Sequence, residues 1–269
     1  MLVNGKPDNL ISIRDRGLLY GDGVFRTLRV TQGKAQHWSL HYQKLKHDCA
    51  ALGIVCPDEV QLSSELNDLL AQHPDGVVKL IVTRGEGVRG YAPSLHAKPT
   101  RLWDVSVLPV YPADWSIHGI KAHLCQLRLS QQPQLAGIKH LNRLENVLAA
   151  AEWSEANIAE GILLDISGNV IEGTRSNLFM LKNGELYTPE LSSCGVAGVQ
   201  RERVMEWADK YKVPCRVEKF GLADLLSADE IFMVNSIIGL WPVRELSGRN
   251  WGGYPISLQI QEWLKHASD

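Results

Sequence analysis

Residues 135–145 read LAGIKHLNRLE and place Lys139 between an apolar, strand-like run and the beginning of a helix. On its own, such a lysine is best explained as a solvated surface charge, because lysine is almost never fully buried without a partner. A chemical role requires a special environment, since an amine that is desolvated beside another cation loses its proton easily and can form an imine. His140 and Arg143 could supply that positive field. The segment therefore indicates a reactive amine only if the rest of the chain supplies partners for it.

Three other segments carry features that would complement such a lysine. Glu172 follows a predicted hairpin strand, where a carboxylate could keep a pyridinium nitrogen protonated. Residues 195–201 (GVAGVQR) place glycines before a helix. The N–H groups of a helix N-terminus bind phosphate, although an ordinary helix start explains this pattern equally well. Asn235 and Ser236 end a short apolar strand, where the hydroxyl could bind another phosphate oxygen.

The composition excludes several other classes of protein. The chain has 269 residues with 45% hydrophobic and 22% charged residues and a net charge of -2, which are ordinary values for a globular protein and offer no basic surplus for nucleic acid or an anionic membrane. The first residues lack a signal peptide's apolar core, and no apolar run is long enough to span a bilayer. The five cysteines are scattered and form no CxxC pair, so we expect no disulfide framework, no metal site and a cytoplasmic location.

The first half of the chain has the pattern of a mixed domain. Strands are predicted at 24–30, 77–83 and 102–108, and helices at 40–52 and 58–72, the second with Val60 among its apolar positions. Residues 109–114 contain two prolines and no periodicity. We therefore predict an N-terminal domain over 1–109, a linker over 110–116 and a C-terminal domain over 117–269.

The second half mixes strands and helices without regular alternation. Ser167-Gly168-Asn169 and Asn183-Gly184 each separate two short apolar runs and indicate hairpins. Further strands are predicted at 119–127 and 230–234, and helices at 144–156, 199–211 and 256–266. This arrangement favours an α+β fold in two domains.

Taken together, these segments resemble the fold-type IV pyridoxal-phosphate enzymes nearly from end to end. The resemblance rests on five motifs in the family's order: residues 15–25 (DRGLLYGDGVF), 41–45 (HYQKL), Lys139 with the segment 172–179 (EGTRSNLF), 198–201 (GVQR) and 234–236 (VNS). It implies a smaller N-terminal α/β domain and a larger C-terminal domain with a β-barrel-like core. It also implies a homodimer with an active site between the two domains and a partner-chain loop nearby.

Within that family, residues 83–91 (TRGEGVRGY) and the segment around Lys139 resemble the aminodeoxychorismate lyases, which form 4-aminobenzoate and pyruvate for folate synthesis. The resemblance implies that Lys139 is catalytic and carries pyridoxal 5'-phosphate. It implies that the other cofactor-binding residues are Lys44, Glu172, Ser176, Asn177, Gly198, Val199, Gln200, Asn235 and Ser236. It implies that the substrate, aminodeoxychorismate, is bound by Arg89, Tyr91, Arg143 and Tyr20.

The chain departs from the family pattern at two positions. Lys44 stands where the family usually has an arginine, and a lysine binds phosphate as a point charge without the bidentate fork. Leu18 lies near a position where some lyases carry a threonine proposed to help proton transfer. Either that proposal does not apply to this chain or Lys139 transfers protons alone.

Two alternatives stay open on the sequence. An aminotransferase for branched-chain or D-amino acids would use the same lysine, glutamate and phosphate sites, and its product would be a keto acid made only with an amino acceptor. A cofactor-free binding or scaffold protein would be colourless, and borohydride would fix no pyridoxal adduct to it.

Overall fold

The computed structural model describes residues 1–94 and 97–266. By packing, the described chain forms two compact units: one contains Met1–Pro109 and Ile138–Asn142, and the other contains Val110–Gly137 and residues 143–266. The sequence predicts a C-terminal domain over 117–269, which includes Lys139. The segment around Lys139 groups with the N-terminal unit because its backbone pairs there: the Phe25 N–H donates to the Lys139 carbonyl at 3.0 Å, and the Leu141 N–H donates to the Gly23 carbonyl at 3.0 Å.

The N-terminal unit is an antiparallel sheet with two long helices. Its elements are β1 (Leu2–Val3), β2 (Lys6–Pro7), α1 (Arg16–Tyr20), β3 (Gly23–Thr31), β4 (Lys34–Ala35), α2 (Trp38–Ala51), α3 (Glu59–Leu70), β5 (Gly76–Thr83) and β6 (Thr100–Ser106). The strands lie in the order β2-β1-β6-β5-β3-β4. The central pairing of β3 with β5 runs from Gly23 opposite Thr83 to Val30 opposite Gly76.

The sequence did not predict α1, which is too short for a hydrophobic period to show. Its ends carry local signals instead. The Asp15 carboxylate accepts the Gly17 N–H at the N-cap, and Gly21 ends the helix with a φ of 66°, a conformation that favours glycine. These two residues hold α1 directly before β3 and so fix the start of that strand.

The core of this unit lies between the sheet and the helices α2 and α3. Leu45, Leu62, Leu80 and Trp103 are among its fully or almost fully buried residues. Val60 does not join them: 78% of it is exposed, because it falls on the solvent side of α3. The hydrophobic pattern therefore predicted the helix correctly but included one position too many in its buried face.

The C-terminal unit is built on a larger, mixed sheet. Its elements are α4 (Asp114–His118), β7 (Ile120–Leu129), α5 (Leu144–Ala150), β8 (Ile158–Asp165), β9 (Val170–Gly173), β10 (Asn177–Lys182), β11 (Glu185–Pro189), α6 (Val199–Lys210), β12 (Cys215–Glu218), α7 (Leu222–Leu226), β13 (Glu230–Asn235), β14 (Gly239–Leu246), β15 (Arg249–Asn250) and α8 (Pro255–His266). The strand order is β12-β11-β10-β13-β14-β7-β8-β9, with β15 paired to β14.

The α+β class and both predicted hairpins are confirmed: β8 pairs with β9 and β10 pairs with β11, each antiparallel. Two boundaries differ from the prediction. α4 begins at Asp114, inside the predicted linker, and α5 ends at Ala150 rather than continuing to 156. Among the residues that the structure describes, no helix has the length and apolar character needed to cross a membrane.

The different exposure of Leu45 and Val60 predicts different effects of truncation. Leu45→Ala should lower the free energy of unfolding by about 2–5 kcal/mol, because it removes a fully buried side chain and leaves a cavity. Val60→Ala, the matched control on an exposed position, should change it by no more than about 0.5 kcal/mol. Urea unfolding of both variants measures the difference. Equal losses would show that our assignment of the buried face is wrong.

Candidate active site

Lys139 lies outside any helix or strand, and its backbone is nevertheless fixed on both sides. Its N–H donates to Oδ2 of Asp48 on α2 at 3.0 Å, and its carbonyl accepts from Phe25 on β3. Its Nζ lies 4.6 Å from the centroid of the Phe25 ring, within the range of a cation–π contact. A helix and a strand of the same unit therefore orient this lysine.

Asp48 is the centre of a charged cluster in the N-terminal unit. Its carboxylate is completely buried, and it accepts Lys44 Nζ at 2.6 Å on Oδ1 and Arg26 Nη2 on Oδ2. Burial lowers the pKa of the Arg26 guanidinium to about 10. Among the described residues, Nε of Arg26 has no hydrogen-bond partner. One carboxylate thus faces two side-chain cations, which leaves a positive surplus that favours an anion nearby.

His41 is a buried member of the same region. Burial, then the charges of Arg26, His37 and Lys139, lower its pKa to about 3. Its imidazole is therefore neutral at physiological pH and contributes no further positive charge. The sequence offered no reason to place it in a charged cluster.

The predicted substrate loop, residues 84–91, is tied to the segment that precedes β3. The Arg16 guanidinium donates to the carbonyls of Gly90 at 3.0 Å and Tyr91 at 2.6 Å, and its Nε contacts Asp22 at 2.8 Å. Arg84, at the other end of the loop, binds the same Asp22 carboxylate through two nitrogens, at 2.7 and 3.0 Å. Burial would raise the pKa of Asp22, but the hydrogen bonds from both arginines lower it.

The loop presents the predicted substrate residues outward. Arg89 is exposed, and Tyr91 is 84% exposed with its ring centroid 5.3 Å from that of Tyr20. The Arg16 guanidinium lies 4.9 Å from the Tyr20 ring centroid. Leu18, the position of the second departure from the family, is 60% exposed on α1. The structure therefore brings Tyr20 and Tyr91 together within this unit.

Glu172 lies on β9 in the C-terminal unit and is only 4% exposed. Its Oε2 accepts the N–H of Val196 at 2.8 Å. Burial lowers the pKa of Arg143, whereas the negative charges of Glu172 and then Glu145 oppose that shift. The buried carboxylate is thus held in place by the glycine-rich segment before α6 and lies in the field of an arginine.

The N-terminus of α6 is organised by Asn177. Its Nδ2 donates to the Val196 carbonyl at 2.7 Å, and its Oδ1 accepts the Gly198 N–H at 3.1 Å. A Cβ at position 198 would lie 2.4 Å from that Oδ1, so only glycine fits there. Gly198, as the N-cap residue, has no side chain to offer the N–H groups of the first helical turn. Val199 is buried in the first turn, and the buried Gln200 accepts Arg203 at 3.0 Å.

Two further predicted cofactor residues have clear local roles. Ser176 donates its hydroxyl to Oε2 of the buried Glu160 at 2.7 Å, and Glu160 also accepts the Thr174 N–H at 3.1 Å. Asn235 stabilises the turn after β13, since its Oδ1 accepts the N–H groups of residues 237 and 238 at 2.8 and 2.9 Å. Ser236 lies in that turn. That these residues bind a cofactor stays a prediction.

Four polar residues that organise these segments were missed at the sequence level, namely Arg16, Arg26, Asp48 and Glu160. Only Asp48 had a local signal, because it lies four residues after Lys44 on a predicted helix, a spacing at which opposite charges meet. Arg26 and Glu160 bind side chains far along the chain, and Arg16 binds the carbonyls of Gly90 and Tyr91 in addition to the nearby Asp22. Charges of this kind are normally solvated, so no local pattern predicts such partners.

Comparisons with known proteins identify the family of this chain. The family model "Amino-transferase class IV" matches residues 23–246. A relative from Vibrio harveyi, named aminodeoxychorismate lyase, is 37% identical over 91% of this chain and 90% of its own length. A putative branched-chain-amino-acid aminotransferase from Methanocaldococcus jannaschii is 33% identical over 92% of this chain and 88% of its own length. The crystal structure of 4-amino-4-deoxychorismate lyase from Pseudomonas aeruginosa matches with a TM-score of 0.95 at 45% identity, covering 98% of this chain and 97% of that chain.

The contacts of Arg16 predict how the loop 84–91 responds to substitution. Arg16→Lys should raise amide hydrogen exchange in that loop about tenfold, because one ammonium group cannot reproduce the contacts to both carbonyls and to Asp22. Arg29→Lys, on an exposed position of β3, serves as the matched control. Hydrogen exchange followed by mass spectrometry measures both variants. If exchange in the loop were unchanged by Arg16→Lys, the loop would not depend on this arginine.

Proposed function

The chain belongs to the aminotransferase class IV family, and on that premise we propose that it is a lyase that converts 4-amino-4-deoxychorismate to 4-aminobenzoate and pyruvate. The proposal rests mainly on the similarity to the Pseudomonas aeruginosa lyase, which extends over nearly the full length of both chains at 45% identity. The Vibrio harveyi lyase supports the same reading at 37% identity. The protein is a pyridoxal 5'-phosphate enzyme, as are the members of this family.

The residues of this chain fit that cofactor. Lys139 offers an amine on a fixed backbone within a cluster that has more positive than negative side chains, which suits a phosphate-bearing aldehyde. We assign the phosphate to Lys44 and to the N-terminus of α6, where the N-cap residue Gly198 has no side chain to offer and Val199 begins the helix, because N–H groups at a helix N-terminus bind anions. Glu172 would be the anion at the ring nitrogen, since a buried, oriented carboxylate keeps that nitrogen protonated. Asn177, Ser176, Gln200, Asn235 and Ser236 would support these contacts.

Lys139 has two proton-transfer roles in the proposed reaction. When bound, the cofactor supplies an electron-withdrawing ring that stabilises the negative charge left by proton removal. The Lys139 amine removes the proton from C4 of the substrate, and the C3–oxygen bond to the enolpyruvyl group then breaks. Lys139 returns the proton to the departing group, which leaves as pyruvate while the ring becomes aromatic. The proton taken from C4 balances the one gained by pyruvate, so no external acid is consumed.

We assign the substrate's carboxylates to Arg89 and Arg143, and its ring to Tyr20 and Tyr91. Arginine suits a planar carboxylate because its guanidinium can donate two parallel hydrogen bonds. Arg89 and Tyr91 are exposed on a loop whose backbone Arg16 holds, so they can contact a ligand without a rearrangement of the loop. Leu18 has no group that transfers protons, which leaves that task to Lys139.

An aminotransferase is the second candidate function. The observation that favours it is the 33% identity to the Methanocaldococcus jannaschii relative over 92% of this chain. The two functions differ in their products, because an aminotransferase releases a keto acid only when an amino acceptor is present. Incubation with 4-amino-4-deoxychorismate alone separates them: a lyase releases pyruvate and 4-aminobenzoate in equal amounts without an acceptor.

We propose a cytoplasmic homodimer as the working form. Leu144, Val147 and Leu148 of α5 form an apolar face that is 60–75% exposed in the single chain, as expected of a surface that a second copy covers. All five cysteines are free thiols, which suits a reducing compartment.

Substitution of Lys139 tests the proposed function directly. Lys139→Ala should abolish fixation of the cofactor by borohydride and lower pyruvate release by more than the roughly 10²–10⁴-fold of a general base alone, because it also removes the covalent anchor. Lys212→Ala, at a side chain that is 80% exposed, is the control and should behave as the wild type. Pyruvate release at the wild-type rate from the Lys139 variant would overturn the mechanism.

Glu172→Gln separates the proposed electron sink from simple cofactor binding. The variant keeps an acceptor for the Val196 N–H but loses the negative charge at the ring nitrogen. We expect turnover to fall by at least about tenfold, the effect of one pKa unit, while borohydride still fixes the cofactor to Lys139. Single-turnover absorbance measurements report the rate of turnover, and absorbance after borohydride treatment reports fixation of the cofactor. Unchanged turnover would remove Glu172 from the scheme.

A further inference from the structure

We propose that Asp48 is the positioning residue for Lys139, and that it sets the spacing between the covalent anchor and the phosphate-binding Lys44. The inference rests on the proposed function, because it assumes that both lysines contact the cofactor. Asp48 is not among the residues expected to bind the cofactor. It would affect the reaction only by positioning Lys139.

The first step of the argument is the hydrogen bond between Asp48 and the backbone of Lys139. The segment of Lys139 is neither helix nor strand, so it has no regular hydrogen-bond ladder of its own. Its carbonyl is held by Phe25, and Asp48 Oδ2 accepts its N–H at 3.0 Å. A carboxylate that accepts a backbone N–H makes a charge-assisted bond, which is stronger than a neutral one.

The second step is the rigidity of Asp48 itself. The residue lies on α2, is completely buried, and accepts Lys44 Nζ at 2.6 Å and Arg26 Nη2. These two cations, one on the same helix and one on β3, hold the carboxylate from two directions. The acceptor of the Lys139 N–H therefore has little freedom to move.

The third step is that one carboxylate contacts both proposed cofactor residues of this unit. Oδ1 binds the Lys44 ammonium, and Oδ2 binds the Lys139 backbone. A cofactor that bonds covalently to one lysine and places its phosphate on the other needs a fixed distance between them. Asp48 fixes the Lys44 ammonium relative to the Lys139 backbone, from which the reactive side chain extends, because its two oxygens belong to one planar group.

The test uses the full-length protein freed of bound cofactor and two probes, pyridoxal 5'-phosphate and pyridoxal, which lacks the phosphate. The rate at which borohydride-fixable label accumulates on Lys139 is followed by mass spectrometry. Asp48→Asn should slow labelling by both probes about ten- to hundredfold, the cost expected when a reactive group is misplaced by about 1 Å. Lys44→Gln should slow labelling by the phosphate-bearing probe only, because it leaves the Lys139 contact intact.

Two further variants separate positioning from a general loss of stability. Glu65→Gln removes the charge from a part-buried ion pair in the same unit, where Glu65 binds Arg101 at 2.8 Å, and should label as fast as the wild type. If Asp48→Asn does not fold, Arg26→Met with Asp48→Leu replaces the buried pair by apolar groups of similar volume, a change that proteins often tolerate. This double variant should fold and still label slowly.

The outcomes distinguish the two proposals. Wild-type protein that is not labelled on Lys139 would overturn the proposed function. Wild-type protein that is labelled and releases pyruvate, with Asp48 variants that label at the same rate, would overturn the positioning role alone. Slow labelling of the Glu65→Gln control as well would also overturn it, since the effect would then follow from any broken ion pair.

Discussion

The buried carboxylate of Asp48 connects three parts of the N-terminal unit that are distant in sequence. It binds Lys44 on its own helix, Arg26 on β3, and the backbone of Lys139, which lies 91 residues further along the chain. The segment Ile138–Asn142 belongs to this unit by packing, although its neighbours in sequence on both sides belong to the other. The lysine that we assign to the cofactor is therefore presented by the N-terminal sheet and helix rather than by the C-terminal sheet.

A buried charged cluster of this kind is weak evidence for stability. Removing charges from water costs several kcal/mol per ion, and a good apolar core of the same volume often does as well or better. The cluster around Asp48 also leaves more positive than negative charge, because Arg26 and Lys44 face one carboxylate. Such an arrangement is explained more easily by a ligand than by folding, since a phosphate would supply the missing negative charge.

The fold was predictable from the sequence where short-range signals are strong. The Asn183-Gly184 turn sets the hairpin of β10 and β11, and the apolar residues of α3 recur at a helical period. Strand β14 was not predicted from the sequence because it contains Pro242, and proline normally argues against a strand with neighbours on both sides. The candidate site was likewise predictable only where the signal is local. The motif at Lys139 could be read from neighbouring residues, whereas the contact of Asp48 with Lys139 depends on tertiary structure that no local pattern encodes.

The loop 84–91 shows why exposed residues can still be well ordered. Its backbone is held by Arg16 and Arg84, which share the Asp22 carboxylate, while Arg89 and Tyr91 remain exposed. A loop that is fixed before the ligand arrives loses less conformational entropy on binding, so more of the gross interaction energy remains as affinity. The loop is thus suited to a doubly charged ligand such as the proposed dicarboxylate. Specificity in this chain would then depend as much on the buried arginines that hold the loop as on the exposed arginine that contacts the ligand.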